Sequence, residues 1–113
     1  MEVTGMTGDA LLRVLATLAN PHRLRVVAAL AEERNYVSRL ARQLGISRAL
    51  LQVHLRKLEA AELVTAHIEV SEDGKAMKFY DVTPFMLQVT PESIVVAART
   101  LDTESDLEAE IQR

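Results

Sequence analysis

The chain has 113 residues, 49% of them apolar, with no cysteine and a formal net charge of −3. That length fits one domain and the apolar share supports a packed core, so wholesale disorder, two sizeable domains, disulfides and thiolate metal sites are all excluded. No apolar run approaches the roughly 20 residues of a membrane span, and Met1 to Thr7 is neither basic nor strongly apolar, so a cytoplasmic protein with no membrane partner is expected.

Aromatics are limited to Tyr36, Phe79, Tyr80 and Phe85, so the core is built from Leu, Val, Ile and Ala, which favours helices. Leu11, Leu12, Val14, Leu15 and Leu18 give a first helix over about 8–19. Asn20-Pro21 starts a second: Asn caps, and proline at the first helical position loses no needed N–H. Leu24, Val27, Ala28, Leu30 and Ala31 form its expected apolar face.

Asn35-Tyr36-Val37 is a short connection with room for a stub of strand. Ser38 is expected to cap a third helix through Leu44, and Gly45 suits the left-handed residue that ends it. Ile46 plugs the turn, and Ser47 caps a fourth helix from Arg48 to about Ala61. Leu51, Leu55 and Leu58 recur at four and three residues, the spacing of one buried face.

The period then changes. Residues 63–70 and 76–83 lean to strand, with partial alternation in Val64, Ala66, Ile68 and Val70. Asp73-Gly74 is the hairpin signal between them. Phe85, Leu87 and Val89 alternate with more polar neighbours, as in a further extended segment. Thr90-Pro91-Glu92 opens a last helix expected over 92–110. The order predicts a mainly α fold with a small β-hairpin in a single domain: a winged helix-turn-helix, with 38–60 the helix-turn-helix, 63–83 the wing, and flanking N- and C-terminal dimerisation helices.

Charge is unevenly placed. From 20 to 60, eight basic residues (Arg23, Arg25, Arg34, Arg39, Arg42, Arg48, Arg56, Lys57) face three acids (Glu32, Glu33, Glu59). From 81 to 113, two basic residues face seven acids. A phosphate-facing half opposite a solvent- or partner-facing half gives this asymmetry, as do two ordinary solvated surfaces.

With Leu51, Leu55 and Leu58 buried, helical geometry turns Arg48, Ala49, Gln52, Val53 and Arg56 outward, where a DNA major groove would meet them. Arg48 matches a guanine edge and Gln52 an adenine edge; Ala49 and Val53 suit thymine methyl groups. Arg56, Lys57, Arg39 and Arg42 are placed for phosphates, which give affinity rather than sequence. Ser47 satisfies N–H groups that also face the DNA. Lys75 and Lys78 in the hairpin could reach flanking phosphates, although Glu72 and Asp73 at the tip oppose this.

The segments Leu18-Ala-Asn-Pro-His-Arg-Leu-Arg-Val, Leu40-Ala-Arg-Gln-Leu-Gly-Ile-Ser and His54-Leu-Arg-Lys-Leu-Glu-Ala-Ala-Glu-Leu-Val together resemble the ArsR/SmtB-type winged-helix transcriptional regulators. The likeness covers roughly residues 10 to 83. It implies a homodimer, joined through its first and last helices, that binds a palindromic double-stranded DNA operator through the helix over 47–60 and usually represses. Glu62 stands where the family often has glycine, a change expected to alter only the helix cap.

Many such regulators sense metals, and that part does not carry over. The thiolate pair has no counterpart without cysteine, and the last helix has no histidine, only Asp102, Glu104, Asp106, Glu108 and Glu110. No metal and no cofactor is therefore expected, and the effector stays open. His22 is expected at the surface and His54 partly buried in a structural role. His67 with Glu69 makes at most half a metal site. No nucleophile–base–acid set or phosphate-binding glycine loop is present, so no enzyme is expected. Leu11, Leu12, Leu15, Leu18, Ile94, Val95, Ala98 and Leu101 are the expected dimer interface, with completion of the protomer's own core as the alternative. Rival functions for the fold are a ligand- or metal-responsive sensor and a protein–protein interaction module.

Overall fold

The computed structural model describes residues 6 to 101, which form two compact units: 6–15 with 85–101, and 16–84. The elements run α1 (Gly8–Leu18), α2 (Pro21–Glu32), β1 (Asn35–Tyr36), α3 (Val37–Leu44), α4 (Arg48–Ala60), β2 (Val64–Val70), β3 (Ala76–Val82) and α5 (Pro91–Ala98). Helix, helix, helix-turn-helix and hairpin in that order is the winged helix-turn-helix plan.

In the larger unit, Asn20 caps α2 by accepting from the N–H groups of His22 and Arg23 at 2.9 and 3.2 Å. Gly45 ends α3 at φ 68°, a left-handed conformation that only glycine adopts without strain. Its neighbour Ile46 closes the turn by donating to the Ala41 carbonyl at 3.1 Å. Ser47 then caps α4, its Oγ accepting from Leu50 N–H at 3.1 Å; such a cap stabilises a helix by about 1 kcal/mol. Leu51, Leu55 and Leu58 are fully buried with Val26, Leu40 and Leu63, and Leu30 is buried as well. Ala41, small and buried, sits on α3 where α4 packs against it.

The sheet has strand order β1-β3-β2, all antiparallel. Asn35 pairs with Tyr80 and Tyr36 with Phe79, so the stub of strand anchors the base of the hairpin. Ser71 and Lys75 close the turn, with Ser71 N–H donating to the Lys75 carbonyl at 2.8 Å.

Four expectations are corrected. Tyr36, not Ser38, is the N-cap of α3, and it makes no side-chain cap bond, because β1 runs directly into the helix. On α2 the buried residues are Val26 and Leu30, while Leu24 is exposed. Residues 24 and 26–31 are all apolar, so spacing alone could not choose a face. Along β2, Val64 is buried but Ile68 and Val70 are exposed, since the hairpin runs out past the helices that cover its base. Residues 85–88 keep the expected alternation of exposure, but Val89 is exposed like Gln88, and the segment forms no strand beyond a single bridge at Met86.

In the smaller unit, Gly8 N–H donates to Thr100 Oγ1 at 2.7 Å. A Cβ at Gly8 would stand 2.2 Å from the Ala97 carbonyl oxygen, so the contact between α1 and the end of α5 requires glycine. Thr90 and Ser93 form a reciprocal capping box at the start of α5, at 3.0 and 2.9 Å. The helix ends at Ala98; residues 102–110 of the expected longer helix, with their five carboxylates, lie outside the described residues.

Candidate nucleic-acid interface

Helix α4 divides cleanly along its length. Leu51, Leu55, Leu58 and His54 face inward, and Arg48, Ala49, Gln52, Val53, Arg56 and Lys57 are exposed. Leu50 is exposed as well, so the outer face is more apolar than the predicted residues alone imply.

The outer face is one wall of a groove of about 500 Å³. Arg48, Gln52 and Arg56 contribute from α4, Lys78 and Tyr80 from β3, and Tyr36 and Ser38 from the start of α3. Strand alternation puts Lys78 and Tyr80 on the same face of β3. The Lys78 ammonium lies 5.4 Å from the Tyr80 ring centroid, a cation–π contact between two residues of the groove lining. Among the described residues no salt bridge to a carboxylate involves Arg48 or Arg56, which leaves both charges available to an anion. Glu59 is the one acid on this lining.

The other predicted cations are distributed around this groove rather than in it. Arg42, Lys57 and Lys75 are exposed. Arg39 faces Glu33 at 3.5 Å, an exposed pair of little energetic weight that a phosphate could displace. Spacing along α3 and α4 revealed the basic side chains but not Tyr36, Ser38 and Tyr80. Those three reach the groove through β1–β3 pairing, a long-range contact with no local signal.

The opposite face of the sheet is internally neutralised. Arg34 pairs with Glu69, lies 3.2 Å from His67 Nε2, and stands 4.8 Å over the Phe79 ring. His67 Nδ1 is 3.4 Å from Asp81 Oδ2. The hydrogen bond from Arg34 holds the Glu69 carboxyl below the usual carboxylate range. A guanidinium therefore occupies the space beside His67 and Glu69 where a half-site for metal was conceivable. Among the described residues no group of three or more His, Asp or Glu side chains is arranged to hold a metal ion.

His54 is buried beneath the outer face of α4. Its ring stacks on His22, centroids 5.3 Å apart, and its Nδ1 lies 3.4 Å from Arg23 Nη1. Burial pushes its pKa down, and the charges of Arg23, His22 and Lys57 add to that. His22 is thus half-buried against a partner rather than free at the surface.

Comparisons with known proteins agree with this geometry. A family model described as bacterial regulatory protein, arsR family, matches residues 20–66, from the α2 cap into β2. An HTH-type transcriptional regulator of Methanocaldococcus jannaschii is 34% identical over 77 residues, covering 68% of this chain and 80% of its own. The chain belongs to the ArsR family.

The fold of this ArsR-family chain is shared with solved structures. NolR from Sinorhizobium fredii superposes with TM-score 0.59 at 24% identity, covering 86% of this chain and 84% of its own. An ArsR-like transcriptional regulator from Rhodococcus sp. RHA1 gives 0.57 at 25% identity, covering 93% and 85%. As an ArsR-family member the protein is a DNA-binding transcriptional regulator, and its family and relatives are regulators rather than enzymes. No described helix is long and apolar enough to cross a membrane.

In the ArsR-family chain the departure at Glu62 has a visible consequence. Glu62 adopts φ 61° after α4, the left-handed region where glycine is preferred. The cap is kept, with Glu62 N–H donating to Glu59 and Leu63 N–H to Leu58, each at 2.9 Å.

Proposed function

We propose that this ArsR-family regulator is a cytoplasmic homodimeric repressor that lays α4 in the major groove of a palindromic operator. The observation that carries it is the shared groove: Arg48, Gln52 and Arg56 on α4 and Lys78 on the wing line one basic surface. Arg48 and Gln52 read base edges, and Ala49 and Val53 meet thymine methyls. Arg56 joins that base-facing row and also reaches the backbone. Arg42, Lys57, Lys78 and Lys75 hold phosphates, with Arg39 once Glu33 is displaced. Tyr36 and Ser38 offer hydroxyl donors to the same strand.

A second copy is the partner that the smaller unit needs. Leu15, Ile94, Val95, Val96 and Leu101 remain exposed there, and Ala98 with them. Apolar side chains grouped in this way call for cover. Leu11 is already buried within the protomer, and Leu12 and Leu18 are half-buried, so these three belong partly to its own core. A two-fold dimer would set its two recognition helices about 34 Å apart, one turn of DNA.

The test is sedimentation equilibrium together with fluorescence anisotropy on a mixed-sequence duplex across a salt series. A dimer whose duplex affinity falls steeply with salt supports the proposal. A monomer, or salt-insensitive behaviour with no retention on DNA, favours a protein-binding module instead.

A further inference from the structure

We propose that His54 is an acid-sensitive latch on the recognition helix: its neutral ring, seated between Arg23 and His22, holds α4 against α2, and a proton added to Nδ1 unseats it. This rests on the DNA-binding role of α4 and goes beyond it by naming a condition that withdraws the helix.

The tautomer follows from the neighbours. Arg23 can only donate, so the His54 Nδ1 that lies 3.4 Å from its Nη1 is the acceptor, and the ring proton sits on Nε2. Nε2 is buried and has no hydrogen-bond partner among the described residues. A second proton therefore has one place to go, the nitrogen that faces Arg23. Adding it abolishes the acceptor and sets two cations against each other at that distance.

Nothing nearby compensates. The charged and titratable groups that face the ring are Arg23 and His22 on α2 and Lys57 on α4 itself; among the described residues no carboxylate and no group from α3 or the sheet joins them. Arg23 cannot easily withdraw, because its Nε donates to the Thr17 carbonyl. The ring stacked on His54 is another imidazole, and it counts among the influences that disfavour the protonated form of His54. The strain falls on the α2–α4 contact, directly behind the row Arg48, Gln52 and Arg56.

The ordinary trend runs the other way. Protonating surface histidines makes a protein more positive and strengthens its grip on phosphates. A regulator that releases DNA on acidification is thus set apart from generic electrostatics. If only the neutral form of His54 is competent, each pH unit below its folded-state pKa weakens binding about tenfold.

The experiment uses the full chain. Carbon-detected histidine NMR follows the His54 ring from pH 7.5 to 5.0, with α4 amide signals recorded alongside, and anisotropy reports binding to a 40-base-pair mixed-sequence duplex at fixed salt. The expected result is a His54 titration below the ordinary histidine range, loss of α4 amide signals with the same midpoint, and duplex binding that weakens as pH falls. His54→Gln keeps an acceptor and a donor but cannot gain a proton, so its binding should stay flat or strengthen over that range. If that variant fails to fold, His22→Gln, which removes only the stacked imidazole and with it one of the charges that hold the His54 pKa down, should shift the midpoint of α4 loss to higher pH; an unmoved midpoint would overturn the latch. A His54 ring that titrates without change in the α4 amides overturns the latch, as does a wild-type profile that matches His54→Gln. Absence of duplex binding at every pH would instead refute the DNA-binding role, while the NMR arm still decides the latch.

Discussion

Gln52 on the recognition helix and Lys78 on the wing line the same groove. The two belong to different layers of the fold and are 26 positions apart in sequence. Under the proposed function, a side chain suited to base edges and a side chain suited to phosphates would address one DNA segment together. That juxtaposition separates two kinds of contact that substitution can tell apart.

Arg48→Ala and Gln52→Ala should each change which base is preferred, at about 1–3 kcal/mol per lost bidentate contact. Arg42→Ala and Lys78→Ala should weaken all duplexes alike and lower the salt slope by about one. Selection from a randomised duplex pool, with anisotropy across salt, measures both effects. Arg42→Ala altering sequence preference would reverse the assignment.

Leu51 and Leu55 are at most 1% exposed at the centre of the larger unit. Truncating either to alanine should lower unfolding stability by about 2–5 kcal/mol, read by urea denaturation. Val53→Ala, on the exposed face of the same helix, should change it by no more than about 0.5 kcal/mol.

Much of this was legible in sequence because it is local. Asn20, Gly45, Ser47 and Thr90 mark helix ends through groups within a few residues, and Leu51, Leu55 and Leu58 share a face by simple geometry. The face of α2 was not legible, since apolar residues surround it and only packing selects Val26 and Leu30. The wall formed by Tyr36, Ser38 and Tyr80 was hidden for the same reason, as it depends on pairing between residues 35–36 and 79–80. The exposure of Arg48, Ala49, Gln52, Val53 and Arg56 on α4 follows from helical spacing once Leu51, Leu55 and Leu58 are buried.

Glu62→Gly should raise stability by up to about 1 kcal/mol, because glycine relieves the left-handed backbone while adding some entropy to the unfolded chain. Glu62→Ala should give no gain. Thermal melts of the two variants check this, and equal stability for both would show that φ 61° carries no strain here.

Gly8→Ala should damage the smaller unit, since its Cβ would meet the Ala97 carbonyl oxygen at 2.2 Å. Overpacking of this kind costs about 1–3 kcal/mol. If a second copy covers the neighbouring Leu15, Ile94 and Val95, the dimer should also weaken. Sedimentation of the variant over a concentration series reads that directly; an unchanged dimer would place the interface elsewhere.

The central claim is that α4 reads operator DNA through Arg48 and Gln52. The most direct measurement is recovery and sequencing of genomic fragments bound by the wild-type chain and by the Arg48→Ala, Gln52→Ala double variant. The predicted result is an inverted repeat with half-sites about 10 base pairs apart, centre to centre, enriched by the wild type and lost or altered in the double variant. The same enriched sequence from both proteins would contradict it.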